Sequence, residues 1–291
     1  MPEAIHTFRH EAMATYFEIR IAGAKSDYAG QAAQAAFAVI ERAEALLSRY
    51  LESSEISQIN QLQPGEVVRV SPEVFDCLEQ SLRLQEMTRG AFDPALGAPV
   101  AASRGQLLMD RDSLLIGLQG APVSLDLGAI GKGYGLDLAA SELGSWDIGR
   151  ALLIGGGSSL LALGDSGSAP TPGWEISLGG VSPLRRLVLD NRALGSSGTA
   201  VKGEHIIDPR TGQPVPAGHR TWAAAATAAA ADALSTAWMV LSPVEIEEIC
   251  AAHPGIGAIV QSENSGAPLW SCGSLDLENP PGPSKPDRSA P

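Results

Sequence analysis

The sequence predicts a fold that mixes α-helices with β-strands, and three observations support this. Residues Thr15–Ala22 alternate between polar and apolar side chains, as a half-buried strand does. Residues Tyr28–Leu51 are rich in alanine and carry apolar side chains at helical spacing, which predicts an amphipathic helix. Ser71-Pro72-Glu73 combines a serine cap, a first-turn proline and an early acid, so we expect a helix from here to about Thr88, ended by Gly90.

The rest of the chain continues the mixture. Short apolar runs bounded by turn residues predict strands, and small or apolar residues at helical spacing predict helices. The predicted strands are Val67–Val70, Leu114–Ile116, Pro122–Leu127, Ala151–Ile154, Leu160–Leu163, Trp174–Leu178, Arg186–Leu189, Thr221–Ala229 and Gly257–Gln261. The predicted helices are Leu136–Leu143, Ala231–Leu241 and Pro243–Ala252. We expect a connector over Val100–Leu118 and a small polar loop over Leu194–Thr199.

Composition limits the classes of function. The chain has 291 residues, 44% of them apolar, which suffices for one large domain or two modest ones. Its net charge of -13 argues against a nucleic-acid-binding protein, which normally presents a basic face. An anionic ligand would therefore need a locally placed lysine or a metal ion.

Location and termini can also be predicted. No run is long enough to span a bilayer, and residues Met1–Arg20 lack the apolar core of a signal peptide, so we expect a soluble, cytoplasmic protein. The tail 279–291 has the composition of a disordered segment, which leaves 1–278 as the folded domain. Cys77, Cys250 and Cys272 are scattered and odd in number, so we expect packing thiols rather than a metal site or a disulfide framework.

The segment Asp126–Asp137 is the first candidate site. A predicted strand opens into a glycine-rich turn with one lysine, Lys132, and then into a helix. Unpaired N–H groups at a helix start attract anions, and glycine lets a phosphate approach closely. The segment is not a Walker A loop, because Asp126 replaces its first glycine and Gly133 its Ser or Thr. From the residues alone, phosphate binding and a plain turn remain equally acceptable interpretations.

Two further segments contain polar side chains suited to ligand binding. Ser48-Arg49-Tyr50 precedes Ser54 and Ser57, and here a local cap is favoured over a ligand role for Tyr50. Gly155-Gly156-Gly157-Ser158-Ser159 follows a buried strand and could let the backbone approach a ligand.

The C-terminal half contributes a histidine and a helix with oxygen ligands. His205 lies close to a strong turn signal formed by Asp208-Pro209 and Thr211-Gly212. A lone histidine is more often structural than catalytic. Asp232 and Thr236 are four residues apart, so their oxygens share one face of the predicted helix. Asp232 could cap that helix, or the pair could hold a hard cation.

Taken together and in this order, six blocks resemble the FAD:protein FMN transferases, the ApbE-type flavin transferases, from about Met13 to Gly273. The blocks are Met13-Ala14-Thr15, with alanine in place of the family's glycine, Ser48–Asn60, Gly90-Ala91-Phe92-Asp93-Pro94, Asp126–Asp137, with Gly131 where alanine is usual, His205–Gly212 and Ala231–Ala237. The resemblance implies an α+β fold with two T-fold-like repeats of antiparallel sheet and packed helices around one flavin cleft.

The resemblance also implies an activity. Such enzymes cleave FAD, attach FMN through a phosphoester to a threonine of a target flavoprotein, and release AMP. It implies that Asp232, Thr236 and the carbonyl of Ala129 hold Mg²⁺, and that Lys132 faces the phosphates. It places His205 at the reacting phosphorus, where it would take the threonine proton or orient the hydroxyl. The remaining residues implied to line the FAD site are Met13, Tyr50, Ala91, Phe92, Asp93, Asp126 and Ile206.

Three departures from the family pattern affect the expected target more than the reaction. Gly155 is followed by Gly-Gly-Ser-Ser where Gly-Gly and then Asn or Asp are common, Ser197-Gly198 lies close to His205, and Glu204 replaces a frequent histidine. Two alternatives stay open: an FAD pyrophosphatase that releases FMN and AMP, and a non-catalytic FAD carrier. Many relatives are exported, whereas this sequence shows no leader.

Overall fold

A computed structural model describes residues 4–95, 105–167, 172–179, 185–198, 206–215, 218–262 and 269–275. The helices are α1 Ser26–Leu47, α2 Glu55–Asn60, α3 Pro72–Met87, α4 Gly131–Ser145, α5 Ala228–Trp238 and α6 Pro243–Ala252. The strands are β1 Ile5–Ala12, β2 Thr15–Ala22, β3 Val67–Arg69, β4 Gln106–Asp110, β5 Leu115–Gln119, β6 Ala151–Gly155, β7 Ser159–Leu163, β8 Trp174–Leu178, β9 Arg185–Leu189, β10 Arg192–Gly198, β11 His219–Ala225, β12 Gly257–Ser262 and β13 Trp270–Gly273.

The centre of the fold is an eight-stranded antiparallel sheet in the order β1-β2-β6-β7-β10-β11-β12-β13. Strands β3, β5 and β4 form a small second sheet, and β8 pairs with β9 in a hairpin. Helices and antiparallel sheets therefore combine in one chain, which confirms the predicted α+β class. The division into two T-fold-like repeats stays a prediction.

The large sheet buries both faces. Because side chains alternate along β2, Phe17, Ile19 and Ile21 point to one face and are fully buried there. That face packs against the helical layer of α1, α4 and α5. On the opposite face, the β8–β9 hairpin supplies Trp174, which packs with Trp222 of β11. The helical layer on the first face carries the candidate site.

Several predictions with strong local signals are confirmed. Strand β2 and helix α6 have the predicted bounds, and α3 runs close to its prediction. The side chain of Ser71 accepts a hydrogen bond from the Val74 N–H and so caps α3, while Ser54 caps α2 in the same way. Helix α1 lies inside the predicted Tyr28–Leu51 segment at its C-terminal end but starts earlier, at Ser26.

The prediction of a buried strand over Pro122–Leu127 is wrong. These residues join no sheet. The Asn60 side chain makes the hydrogen bonds that a neighbouring strand would otherwise make. Its Oδ1 accepts from Leu125 N–H at 2.6 Å, and its Nδ2 donates to Leu125 O at 3.0 Å. The N–H of Asp126 donates to the carbonyl of Pro94. An apolar run can thus be buried with its backbone paired by a side chain.

Two further predictions need correction. Residues 194–198, predicted as part of a polar loop, belong to β10 in the middle of the sheet. Gly195 has no room for a side chain because β10 passes directly under α5, where a Cβ on Gly195 would lie 2.2 Å from Ala231 O. The predicted connector Val100–Leu118 contains β4, which was not predicted, while β5 overlaps the strand predicted at Leu114–Ile116. Strand β1, an edge strand, was not predicted, and the tail 279–291 lies outside the described residues.

Candidate active site

The carboxylate of Asp232 is the centre of the candidate site. It lies on the second turn of α5, where only 4% of the residue is exposed. Its Oδ1 accepts a hydrogen bond from Ser159 Oγ at 2.5 Å, and its Oδ2 accepts one from the Gly133 N–H at 2.8 Å. Lys132 Nζ lies 3.5 Å from Oδ2. Burial raises the pKa of Asp232, while Lys132 and the hydrogen-bond donors oppose that rise.

Asp232 does not cap its own helix. Helix α5 begins at Ala228 rather than at the predicted Ala231, and the side chain of Thr227 caps it by accepting from Ala230 N–H. The predicted strand Thr221–Ala229 accordingly ends at Ala225. Asp232 instead caps α4, through the Gly133 N–H of that helix's first turn. Asp232 was therefore expected to cap α5 but caps α4 instead. Its carboxylate links the two helices.

The glycine-rich turn is the first turn of α4, which starts at Gly131 rather than at Leu136. Gly133 serves helix packing, because a Cβ there would lie 2.1 Å from Ala228 O. A Cβ on Gly131, in contrast, would meet no atom within 4 Å. Lys132 lies between them with a quarter of its side chain exposed. Of these three residues, Lys132 remains available to a ligand, whereas Gly131 is buried and donates its N–H to Leu127 O.

Helices α4 and α5 cap each other. The carboxylate of Asp137 in α4 accepts hydrogen bonds from Ala228 N–H at 2.7 Å and Ala229 N–H at 2.8 Å, at the start of α5. Burial raises the pKa of Asp137 to about 6, although both N–H groups favour the carboxylate. Two aspartates 95 positions apart, Asp137 and Asp232, therefore fix how the two helices approach, which no local pattern predicted.

Thr236 lies one turn after Asp232 on α5. Its Oγ1 is 3.2 Å from Ser197 Oγ of β10, and Ser197 Oγ is 2.9 Å from Ser235 Oγ. Ser235 in turn donates to the carbonyl of Asp232 at 2.8 Å. A chain of hydroxyl groups thus joins the two predicted metal ligands of α5 to β10. Ser197 and Ser235 were not predicted as site residues.

The carbonyl of Ala129 is the third oxygen donor that was predicted for the metal. In the described part of the chain it accepts no backbone hydrogen bond, because the N–H one turn later, at Gly133, donates to Asp232. Carboxylate, hydroxyl and carbonyl oxygens are ligands that Mg²⁺ prefers. No group of three or more His, Cys, Asp or Glu residues that could hold a metal occurs among the described residues. The donor set is therefore suited to a hard cation.

Asp126 and Tyr50 are joined through Arg49. Asp126 accepts from Gly128 N–H at 2.9 Å and forms an ion pair with Arg49 at 3.0 Å. The Arg49 guanidinium lies 5.0 Å from the centroid of the Tyr50 ring, and 79% of Tyr50 is exposed. An exposed ring on an anchored arginine is available for stacking. Arg49 belongs to the second block, Ser48–Asn60, but was not predicted as a site residue.

Met13 forms the turn between β1 and β2, with a φ of 50°. Its side chain extends to α4, where its Cε lies 3.3 Å from the Cβ position of Gly135. Thr15 Oγ1 lies 2.9 Å from the Cβ position of Gly156. Gly155–Ser159 is a hairpin connection between β6 and β7, and positive φ at Gly156 and Gly157 makes the turn. The first block therefore lies beside the lysine block and this hairpin.

The third block is buried. Ala91, Phe92 and Asp93 are almost inaccessible, and Asp93 Oδ1 accepts from Ala95 N–H at 2.8 Å. Phe92 belongs to the main core. Asp93 also lines a cavity of about 370 Å³, together with Leu82, Leu107 and Leu125. Phe92 is thus placed as a core side chain, whereas Asp93 and Pro94 line a cavity.

The turn Asp208–Gly212 forms as predicted. Thr211 and Gly212 donate their N–H groups to Asp208 O, and Gly212 has a φ of 72°. Arg210 pairs with Asp208 and with Glu245 of α6, and its Cγ is 3.8 Å from the Cβ position of Gly90. The fifth block therefore lies against the third. Ile206 is buried beside Val215 and Met239, whereas His205 lies outside the described residues.

Comparison with known proteins gives the family. A sequence model described as the ApbE family matches residues 13–260. The chain belongs to the ApbE family. The FAD:protein FMN transferase of Rhodobacter capsulatus is 30% identical over 244 residues, which are 70% of this chain and 45% of that protein. The FAD:protein FMN transferase of Vibrio cholerae is 27% identical over 214 residues, 61% of this chain and 63% of that protein. The aligned parts thus span about half to two thirds of these relatives.

Solved structures of ApbE proteins share the fold. The ApbE protein of Thermotoga maritima superposes with a TM-score of 0.76 at 25% identity, over 92% of this chain and 96% of that chain. The flavinyl transferase ApbE of Pseudomonas stutzeri has a TM-score of 0.75 at 22% identity, over 93% and 94% of the two chains. The described residues contain no helix long and apolar enough to cross a membrane.

Proposed function

We propose that this chain transfers the FMN part of FAD to a threonine hydroxyl of a target flavoprotein and releases AMP. One observation carries the proposal: a buried carboxylate, Asp232, lies 3.5 Å from the ammonium of Lys132 and one helical turn from the hydroxyl of Thr236. An acid, a cation and a hydroxyl at one helix junction suit a metal-assisted reaction of an anionic diphosphate. The names of the ApbE-family relatives support the same reaction.

In this proposal, Asp232 Oδ, Thr236 Oγ1 and the carbonyl oxygen of Ala129 hold Mg²⁺. When bound, the ion neutralises charge on the pyrophosphate of FAD and on the departing AMP. The residues fit because Asp232 and Thr236 lie on successive turns of α5 and Ala129 directly precedes α4, the two helices that the mutual caps hold together. The single carboxylate leaves room for phosphate oxygens and water, which Mg²⁺ commonly retains.

Lys132 supplies positive charge to the phosphates. The chain carries a net charge of -13, so an anionic substrate must be attracted by a local cation. Lys132 is partly exposed, and its ammonium is held near Asp232 rather than in a close ion pair, since 3.5 Å exceeds the usual charge-assisted hydrogen bond. Its ammonium is therefore able to turn from the carboxylate to a phosphate oxygen.

The transfer step is a substitution at the FMN phosphorus. The threonine oxygen forms a bond to this phosphorus, and the bond from phosphorus to the bridging oxygen breaks. The electron pair of that bond leaves on AMP, and the threonine proton passes to an imidazole nitrogen of His205. In this proposal Met13, Tyr50, Asp93, Asp126 and Ile206 line the FAD site, while the nearly inaccessible Ala91 and Phe92 support it from the core.

The test mixes the full chain with FAD, Mg²⁺ and an acceptor flavoprotein that the Rhodobacter capsulatus enzyme modifies. Denaturing electrophoresis viewed for flavin fluorescence separates the outcomes. A fluorescent acceptor band that disappears with EDTA and in His205→Ala supports the proposal. Free FMN and AMP without a band would instead establish a pyrophosphatase, and unchanged FAD would establish a carrier. The Rhodobacter capsulatus enzyme, run in parallel, shows that the acceptor is competent.

A further inference from the structure

Ser159 is the residue that holds Oδ1 of the Asp232 carboxylate in place. It begins β7, directly after the Gly156–Ser158 turn, and only 1% of it is exposed. Its Oγ donates to Asp232 Oδ1 at 2.5 Å. Lys132 and the Gly133 N–H both approach the other oxygen, Oδ2. Among the described residues, Ser159 is therefore the hydrogen-bond donor that defines the orientation of Oδ1.

The backbone of Ser159 is itself rigidly placed. Ser159 pairs with Gly155 of β6 on one side and with Gly195 of β10 on the other, in the interior of the eight-stranded sheet. Gly195 has no side chain, which lets α5 approach the sheet at this level. A short, buried side chain on a central strand loses little freedom on forming its hydrogen bond. The Ser159 hydroxyl therefore connects the Asp232 carboxylate to a fixed position in the sheet.

We propose that Ser159 is a positioning residue that orients the Asp232 carboxylate for binding of a divalent cation. The inference rests on the function proposed above. Groups that hydrogen-bond to a ligating side chain fix its orientation, and their loss typically lowers metal affinity about 10- to 100-fold. Here a serine provides the contact to Asp232.

The experiment titrates Mn²⁺ alone, without FAD, into the full chain and follows binding by electron paramagnetic resonance. Ser159→Ala removes the donor and leaves Oδ1 without a partner, so its Mn²⁺ affinity falls about 10- to 100-fold. Ser159→Thr keeps the hydroxyl and restores binding to within about threefold of wild type. Ser158→Ala is the matched control, since Ser158 Oγ approaches Ser159 Oγ at 3.4 Å but has no hydrogen bond to Asp232. Circular dichroism confirms folding of each variant.

The outcomes separate the two proposals. Unchanged affinity in Ser159→Ala, with wild-type chain binding Mn²⁺, overturns the role of Ser159 and leaves the metal site intact. A wild-type chain that binds no Mn²⁺ overturns the metal ligand set and, with it, this inference. If Ser159→Ala does not fold, Ser159→Cys preserves the side-chain size with a weaker donor, and wild-type affinity in that variant overturns the inference equally.

An independent observation concerns two cysteines. Cys250 of α6 and Cys272 of β13 lie where that helix packs against the last strand of the sheet. The residue after Cys272 is Gly273, and Cys250 Sγ lies 3.1 Å from the position that a Cβ on Gly273 would take. The absence of a side chain there lets the Cys250 sulfur approach the strand beside Cys272. Cys250 is buried, whereas Cys272 is partly exposed. Cys77, in α3, is buried and offers a comparison thiol.

We propose that Cys250 and Cys272 form a reversible disulfide when a small-molecule disulfide is the oxidant. The Cys272 thiolate attacks the oxidant, forms a mixed disulfide and releases one thiol. Cys250 then attacks the Cys272 sulfur, its proton leaves to solvent, and the second thiol departs, so one disulfide is exchanged for another. The bond joins α6 to the sheet edge.

The test incubates the full chain with oxidised glutathione and maps tryptic peptides by mass spectrometry without reduction. A linked pair of peptides containing Cys250 and Cys272, lost on adding dithiothreitol, is expected, together with a rise in Tm of roughly 5 °C. Cys250→Ser should stop at a glutathione adduct on Cys272, and Cys77 should stay unmodified. Free thiols at both positions in wild type, or a glutathione adduct on wild-type Cys272 without the link, would overturn this inference.

Discussion

Lys132 Nζ lies 3.5 Å from Asp232 Oδ2, at the junction where α4 and α5 cap each other. Each helix supplies one of the two residues, so the spacing of cation and carboxylate depends on how the helices pack. Gly133 sets that packing, because it brings α4 into backbone contact with Ala228. The geometry of the candidate site is therefore a property of a helix pair rather than of a loop.

Replacing Lys132 tests whether its charge acts on the substrate. Lys132→Met keeps most of the side-chain length but removes the ammonium, so kcat/KM for flavin transfer should fall about 100-fold, as for other groups that stabilise a charged transition state. Lys25→Met, an exposed lysine just before α1, should leave the rate unchanged. Equal rates in the two variants would remove Lys132 from the reaction.

Adding one methyl group at Gly133 should disrupt the helix junction. A Cβ there would lie 2.1 Å from Ala228 O, and backbone cannot give way cheaply, so Gly133→Ala should lower the free energy of unfolding by about 3 kcal/mol. Gly144→Ala, in the same helix but with open space around its Cβ, is the matched control and should be neutral or stabilising. Urea denaturation of both variants measures the difference, and similar stabilities would contradict the close approach.

Asp137 should make the stability of the fold depend on pH in an identifiable direction. Its pKa in the folded protein, about 6, is above the ordinary value of 3.8, so the folded state holds this proton more tightly than the unfolded state. Stability from this group is thus full below about pH 4 and is lost as the pH rises to about 6, by about 3 kcal/mol at most.

Asp137→Asn isolates that dependence, because asparagine does not titrate. The difference in unfolding free energy between wild type and Asp137→Asn, measured from pH 4 to pH 7, should change in favour of the variant as the pH rises. Asp137→Ala should in addition lose both contacts to the start of α5, at about 2 kcal/mol. A pH-independent difference between wild type and Asp137→Asn would contradict the raised pKa.

Ala14 offers a stabilising substitution. Its φ of 55° is in the left-handed region, which costs an L-residue roughly 1 kcal/mol relative to glycine. Ala14→Gly should therefore raise the unfolding free energy by about that amount. Ala140→Gly in α4 should have the opposite sign, since glycine destabilises a helix interior. Thermal unfolding of the two variants checks the pair, and a fall in Tm for Ala14→Gly would argue against strain in this turn.

Local signals explain which elements could be predicted from the sequence. Strand β2 follows from alternation, and α3 and α6 follow from a serine cap with proline behind it. The turn at Asp208 follows from its Asp-Pro and Gly. Each of these depends on residues close in sequence. The order of six such blocks was sufficient to identify the family that the comparisons then showed.

Long-range contacts explain what could not be predicted. Ser159 and Gly133 are 73 and 99 positions from Asp232, and neither has a local pattern that marks it as a partner. The apolar run Pro122–Leu127 resembles a strand because the pairing of its backbone with the Asn60 side chain is not visible in the sequence. Gly195 and its small neighbours in β10 resemble a loop, because the packing of α5 against Gly195 cannot be seen in the sequence.

The most direct test of the central claim is anomalous diffraction from crystals of the full chain grown with FAD and Mn²⁺. The expected result is a single strong manganese peak within bonding distance of Asp232 Oδ, Thr236 Oγ1 and Ala129 O, with the pyrophosphate of FAD and Lys132 Nζ beside it. Manganese bound elsewhere, or FAD bound with no cation at the α4–α5 junction, would contradict the proposed site.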